Sequence, residues 1–317
     1  MPNLDLDDQH LELARMLRAF SRGRVPVFPA SDTDHPREFP HAIWAELGEL
    51  GVLGLAAPGS GAGRLDIVVA MEVLGEALVP GPWAATHFAA ASLPDVADAV
   101  AAGHTIATIG SDGWFPWAAD ASVHLDVSAT PGTPARVDRV EVTVDATHDS
   151  IGREPWSAVT VGTRTAVEPA APGLEVAQLT VAAYLVGAAG RVVEIAAGHA
   201  RDRHQFQRPI GAFQAVAHPL ARAATLVDGA RQLCRVTAHR SDTDGVDLAA
   251  ASLARLAAAR AALDAVHTGH QTMGAVGYTD EGGLAAYSRQ IRQLASHAPA
   301  DAWSIDAVAG AHARTVR

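Results

Sequence analysis

Apolar residues recur every three or four positions along most of the chain, and the stretches where that period fails are as informative as those where it holds. Leu6, Leu13, Met16, Leu17 and Phe20 share one face of a helix predicted over residues 4–22, with Asp5, Asp7 and Asp8 in its first turn, where negative charge meets the positive helix end. Beyond a proline-rich connector ending at Pro40, the positions Ile43, Trp44, Leu47 and Leu50 repeat the pattern and Gly51 stops it. A third helix is predicted from about Leu65 to Leu78, with Ile67, Val68, Met71, Leu74 and Leu78 on one face and Pro80-Gly81-Pro82 closing it. Shorter helices fill residues 83–102.

The period changes at about Gly103. Residues 105–109, 123–127, 136–144 and 158–164 are short Val/Thr-rich segments separated by Gly, Pro and Asp, which predicts a small antiparallel sheet. Few large apolar side chains lie among them, so the sheet is expected to need the helices for support. From Leu179 the helical period returns. Val181, Tyr184, Leu185, Ala188, Val192 and Ile195 mark one helix, Val216, Leu220, Ala223, Val227, Ala230 and Cys234 a second, Leu248, Leu256, Leu263 and Val266 a third, and a fourth begins near Leu284. Short connections between them predict an antiparallel four-helix bundle. The expected organisation is mainly α with a small β-domain: a helical N-terminal domain over 1–103, a reduced β-domain over 104–175 and a four-helix bundle over 176–317.

Composition narrows the function classes. The chain has 317 residues, 49% of them apolar, enough for a sizeable core. A formal net charge of -11 with no long basic run argues against a nucleic-acid partner while leaving room for a local anion site. All 24 basic residues are arginine. The single cysteine, Cys234, excludes an internal disulfide and a cysteine-cluster metal site, fits a reducing compartment, and on its apolar stripe reads as a packing residue. The N-terminus is acidic and amphipathic, unlike a signal peptide, and no apolar run approaches the ~20 residues of a membrane span, so a soluble cytoplasmic protein is expected. His267 and His270 stand three apart on a helix without the further ligands a metal needs. Gly59, Gly61 and Gly63 lack the following Lys-Ser/Thr pair of a phosphate-binding P-loop.

Two stretches carry candidate chemistry. In Arg201–Ala221 a break at Pro209-Ile210-Gly211 displays Arg203, Gln205 and Phe206 at a helix end, a place suited to an anion and a planar ring; Phe213 reads as a core aromatic. Between the third and fourth bundle helices, Gln271-Thr272-Met273-Gly274-Ala275-Val276-Gly277-Tyr278 is a glycine-bearing turn of the sort that lets backbone approach a ligand.

The order of parts, and both stretches, resemble the acyl-CoA dehydrogenase family. Arg203-His204-Gln205-Phe206-Gln207-Arg208-Pro209-Ile210, followed by Phe213-Gln214-Ala215-Val216, is similar to the family's Arg-x-Gln-Phe-Gly-x-Pro-Ile and Phe-Gln-Ala-Val. Gln271-x-x-Gly274-x-x-Gly277-Tyr278-Thr279-x-Glu281 is similar to its Gln-x-x-Gly-Gly-x-Gly-Tyr-Thr-x-Glu, with Tyr287 and Arg289 following; Glu281 and Arg289 read as structural. The resemblance covers nearly the whole chain and implies an FAD site shared across a subunit interface. By it, Arg203 contacts the FAD pyrophosphate with Gln205 and Phe206 nearby, and Gln271, Gly274 and Ala275 meet the adenine side. Ala275 stands where the family usually has its second glycine.

The family's reaction removes an α-proton with a glutamate while a β-hydride passes to the flavin. At one family position for that glutamate this chain reads Ser296-His297-Ala298-Pro299, and at the other Ala177-Gln178, with Glu175 two residues away. Glu175, and behind it His297, are therefore the candidate bases. No Thr-Glu-Pro-x-x-Gly-Ser-Asp-like segment, which in the family bonds the flavin ring and lines the acyl pocket, occurs between Thr105 and Pro172. This combination resembles the short subunits of actinobacterial heterotetrameric acyl-CoA dehydrogenases. It implies a full-length partner in an α2β2 complex, carrying the base and the pocket, and an acyl-CoA substrate of steroid origin. The alternative is a family relative repurposed as a homodimer for dehydration or cyclisation, with flavin structural or absent.

Overall fold

The structure, a computed structural model, describes residues 6–24, 38–128 and 135–296. Helix α1 (Asp8–Arg24) starts at Asp7, whose carboxylate accepts from the His10 amide at 2.9 Å, so this aspartate caps the helix the apolar period predicts. Helices α2 (His41–Glu49), α3 (Arg64–Glu76), α4 (Trp83–Ser92) and α5 (Ala97–Ala101) complete the N-terminal region. Trp44, Met71, Leu74 and Phe88 are among its buried anchors.

The strands are β1 (Ala107–Gly110), β2 (Trp114–Pro116), β3 (Val123–Ser128), β4 (Arg136–Asp149) and β5 (Pro155–Ala166), in the sheet order β1-β3-β4-β5-β2. The expectation of a purely antiparallel sheet is corrected here: β1 pairs with β3 in parallel, and the other pairs are antiparallel. The short β2 goes unpredicted because Trp114-Phe115-Pro116 is too brief to show a period. It crosses to the far edge beside β5, and a bridge between Ser111 and Trp114 draws the two edges together. The sheet's own buried cluster is only Phe115, Ala118, Val140 and Val159, whereas Ala107, Ile109, Leu125 and Val127 join the main core with α4. That division is why the sheet rests on the helices.

Helix α6 (Ala171–Asp202) is the spine of the molecule. A short hairpin, β6 (His204–Gln205) and β7 (Arg208–Pro209), leads into α7 (Gln214–Asp244), and α8 (Leu248–Met273) and α9 (Ala285–Ser296) follow. By length and composition α6 could cross a bilayer, which the sequence reading missed because Gln178, Thr180 and Arg191 interrupt its apolar run. Instead 72% of its most apolar stretch is buried inside the protein. Its small residues make that possible. A Cβ on Gly187 would lie 1.9 Å from the Glu72 carbonyl oxygen, and one on Gly75 would lie 2.1 Å from that of Tyr184, so α3 and α6 cross with their backbones in contact. The Tyr184 and Tyr287 hydroxyls then donate to the Val79 and Glu76 carbonyls at 3.1 and 2.7 Å, just past and at the end of α3.

Between α4 and α6 lies His87, fully buried, with Nδ1 2.8 Å from the Thr180 hydroxyl and Nε2 3.3 Å from the Val52 carbonyl. Burial pushes its pKa down to about 4. A histidine held neutral in the fold contributes its full stability above the ordinary value of about 6.5 and loses it as pH falls from there toward 4, by roughly 3 kcal/mol in all. Thermal unfolding measured from pH 7 to pH 4.5 should show this decline in the wild type and a shallower one in His87→Gln. Equal slopes in the two proteins would contradict the assignment.

Candidate functional site

The two candidate stretches come together at one end of the bundle. Helix α7 runs antiparallel to α6, since Ser241 reaches back to Glu175 at the start of α6 and Leu220 packs on Ala196 and Ala200 near its end. Helix α8 returns parallel to α6: Asp247, beside its start, meets Glu175, and Gly269 near its end packs on Val192. The C-termini of α6 and α8 therefore point the same way, and each continues into one of the two motif loops.

The first loop is a tight hairpin. Phe206 and Gln207 sit at its tip with φ of 51° and 63°, both in the left-handed region that non-glycine residues avoid, and together they form the two-residue turn between β6 and β7. The turn holds Phe206 86% exposed. Below it Phe213 is half-buried rather than in the core, with the Arg208 guanidinium 3.9 Å from its ring centroid and Phe206 edge-on at 6.1 Å. Arg201, Arg203 and Gln205 are exposed, and among the described residues neither Arg201 nor Arg203 has a carboxylate partner. A chain with an overall negative charge thus keeps guanidiniums without a carboxylate partner at the end of α6, beside the hairpin, and that donor set fits a phosphate group.

In the second loop α8 ends at Met273, and Gly274 leaves the helix with φ 58° and ψ -138° into a 3-10 turn, Gly274–Tyr278. Gln271, Gly274 and Ala275 are exposed, and among the described residues nothing lies within 4 Å of where a Cβ on Gly274 would be. Ala275 crowds no other part of this chain by its exposure. Tyr278, which the sequence reading left without a role, is 71% exposed and stacks on His270. Arg201, Arg208 and Tyr278 all lie within or beside the quoted motifs; the signal for them was a cation or aromatic at a helix-terminal turn.

Glu175 is elsewhere. It is fully buried, its carboxylate accepting from Ser241 Oγ at 2.8 Å, the Asp247 amide at 2.5 Å and Arg64 Nε at 3.3 Å. Arg64 also meets Asp242, which accepts from the Arg64 and Leu65 amides at 2.8 and 3.3 Å and so caps α3. This carboxylate ties the starts of α3, α6 and α8 to the end of α7 and is engaged on all sides. Some 28 residues of helix put it roughly 42 Å from Arg203, beyond the reach of one dinucleotide. Glu175 as a base finds no support in these surroundings. His297 lies outside the described residues.

Where the sheet meets α4, α6 and α9, a cavity of about 40 Å³ is lined by Trp83, Trp117, Glu154, Tyr184 and Gln290 among others. It has room for a water or two. Trp117, with φ 56°, holds a left-handed backbone that turns the chain at the end of β2, and its ring is almost wholly buried. Glu154 accepts from Gln290 Nε2 and Gln293 Nε2 at 3.0 and 2.6 Å, which latches α9 to the β4–β5 turn.

Comparison with known proteins fits this architecture. Residues 7–112 match the acyl-CoA dehydrogenase N-terminal domain and residues 169–297 the acyl-CoA dehydrogenase C-terminal domain. The chain belongs to the acyl-CoA dehydrogenase family. It is 29% identical over 294 residues to acyl-CoA dehydrogenase IpdE2 of Mycobacterium tuberculosis, covering 88% of each chain. It is 30% identical over 291 residues to acyl-CoA dehydrogenase FadE34 of the same organism, covering 80% of this chain but only 39% of FadE34. Among solved structures, the Tcur3481-Tcur3483 steroid ACAD, in a variant form, superposes with a TM-score of 0.82 at 21% identity, covering 98% of this chain and 99% of the other. The ChsE4-ChsE5 complex from Mycobacterium tuberculosis superposes with a TM-score of 0.78 at 22% identity, covering 99% and 98%. Family membership implies flavin-dependent oxidoreductase chemistry.

The strained hairpin gives a test of its own. Gln207→Gly removes the left-handed penalty at that position, worth about 1 kcal/mol after the entropy glycine adds to the unfolded chain. The variant should unfold at higher temperature or denaturant concentration than the wild type. A lower midpoint would mean that the Gln207 side chain makes contacts outweighing the strain.

Proposed function

We propose that this chain is a subunit of an FAD-dependent acyl-CoA dehydrogenase, supplying the phosphate and adenine grip for a flavin whose reactive ring lies in a full-length partner. The observation that carries this reading is the exposure of both motif loops at one end of the bundle. Arg203, Gln205, Phe206, Gln271, Gly274 and Ala275 face outward, so a dinucleotide held there needs another polypeptide to cover it. The cofactor, when bound, accepts the hydride in α,β-dehydrogenation of an acyl thioester.

Each residue of this chain has a role in that arrangement. Arg203, with Arg201 beside it, neutralises the pyrophosphate through charge-assisted hydrogen bonds. Gln205 and the exposed Gln271 amide offer neutral donors and acceptors, and Gly274 lets backbone approach closely. The partner carries the base, because Glu175 is committed to the helix junction and Ala177 and Gln178 offer no carboxylate. The partner also carries the acyl pocket, since this chain has no Thr-Glu-Pro-x-x-Gly-Ser-Asp-like segment of the kind that lines it in the family. Likeness in fold to a steroid ACAD supports a steroid-derived acyl-CoA as substrate, and likeness to the ChsE4-ChsE5 complex supports assembly with a second polypeptide, for which we propose an α2β2 arrangement.

The competing reading is a homodimer of this chain doing dehydration or cyclisation with flavin structural or absent; Ala275 in place of a second glycine favours it. Co-expression with a full-length acyl-CoA dehydrogenase of the same organism separates the two. The expected outcome is a yellow complex whose flavin bleaches when a steroid acyl-CoA is added. A colourless homo-oligomer that ignores the long chain would exclude the subunit reading.

A further inference from the structure

His270 occupies the last turn of α8 and is almost wholly buried, yet it lies directly beneath one of the most exposed aromatic rings of the protein. Its imidazole and the Tyr278 phenol have centroids 4.2 Å apart and planes inclined by 19°, a face-to-face stack. The imidazole is fixed from behind by Ser288 of α9, whose Oγ is 3.0 Å from Nε2 and also accepts from Arg292 Nε at 3.4 Å. With two lone pairs and one hydrogen, the serine can pair with Nε2 in either neutral tautomer of the ring. On its other side Nδ1 presses against Gly277, where a Cβ would stand 3.3 Å from it. The buried Gly277 thus makes space for the ring, and the stack pins the turn between α8 and α9.

Tyr278 has one face on His270 and the other toward solvent. A rigid ring backed by a second ring is a good stacking surface, because the entropy of holding it flat is already spent in the fold. Its place in the bundle suggests what it meets. From the Val192–Gly269 contact, ten residues of α6 and four of α8 remain before the two loops, which puts the arginine hairpin roughly 9 Å beyond the Tyr278 turn along the bundle. A cation cluster and an open aromatic face with that axial offset fall within the span of a phosphate and a planar base in one molecule.

We propose that His270 is a positioning residue that holds Tyr278 as a stacking platform for the adenine ring of a nucleotide whose phosphates are taken by the Arg203 hairpin. The inference rests on the cofactor reading above and adds to it a platform and the group that makes the platform rigid. Neutrality of the imidazole suits the role, since burial, with Arg292 and His267 adding to it, holds its pKa below the ordinary histidine value.

The test uses the full chain and three probes: fluorescent 1,N6-etheno-ADP as the reporter, with ADP and inorganic pyrophosphate as competitors. The wild type should bind ADP about tenfold or more tighter than pyrophosphate, the increment expected of a stacked base. Tyr278→Ala should bring ADP down to the pyrophosphate level without changing pyrophosphate itself, and because Tyr278 is exposed this variant will fold. His270→Gln, which keeps a partner for Ser288 but no flat ring, should lose most of the ADP advantage, while His270→Phe, which keeps the ring and loses the hydrogen bond, should retain it. Equal affinity for ADP and pyrophosphate in the wild type overturns the proposal, as does an advantage that survives Tyr278→Ala, or one kept by His270→Gln and lost by His270→Phe. Pyrophosphate binding that disappears in Arg203→Ala upholds the cofactor reading even if the stack fails; binding of neither competitor overturns the platform, while the cofactor reading is decided separately by the flavin content of the complex with the long partner.

Discussion

The backbone contact between α3 and α6 sets the rest of the molecule. At Gly75 and Gly187 the two helices approach so closely that a methyl group on either would fall inside a carbonyl of the other helix. Substitution there forces the helices apart rather than rearranging a side chain, because backbone atoms are what a Cβ would strike. Around this crossing the N-terminal helices, the sheet and the bundle share one core, so the β-domain, with its four-residue cluster of its own, needs no larger interior. Dispersion and burial are thus concentrated along α6, whose small residues let neighbours come near on several sides.

Holding α6 in the middle has a consequence at its two ends. At the start, Glu175 with Arg64, Ser241 and Asp247 closes the junction of four helices around a buried carboxylate whose oxygens are all engaged. At the far end nothing among the described residues closes over the chain: α6 and α8 finish side by side in two loops whose polar and aromatic groups are exposed. The buried ion cluster lies at one end and the exposed motif loops at the other. The left-handed residues Phe206 and Gln207 fall in the exposed loops.

Much of this was legible in the sequence because helices write their packing into a period. Leu74, Val192 and Cys234 are buried where the apolar stripes placed them, and the two motifs stand at helix termini as Pro209 and Gly274 indicated. Other features depend on partners distant in sequence. The parallel pairing of β1 with β3 is set by where β2 crosses, and Trp114-Phe115-Pro116 gives no periodic sign of it. Glu175 reads as a spare carboxylate until Ser241 and Asp247, some seventy residues on, are seen to surround it. Helix α6 is apolar enough for a bilayer by length and composition, but Gln178, Thr180 and Arg191 interrupt the run, and its Ala and Gly residues signal close packing only when the neighbour is known. The stack of Tyr278 on His270 joins residues eight apart across a helix end, a spacing no regular element would bring together.

The central claim is that exposed groups of this chain grip a flavin that lies in another. It is tested most directly by the ratio of bound flavin to protein, from absorbance, in the purified complex with the long partner, comparing wild type with Arg203→Ala. The account predicts that the variant complex stays assembled and loses most of its flavin. Flavin retained at the wild-type ratio in an intact complex would contradict it.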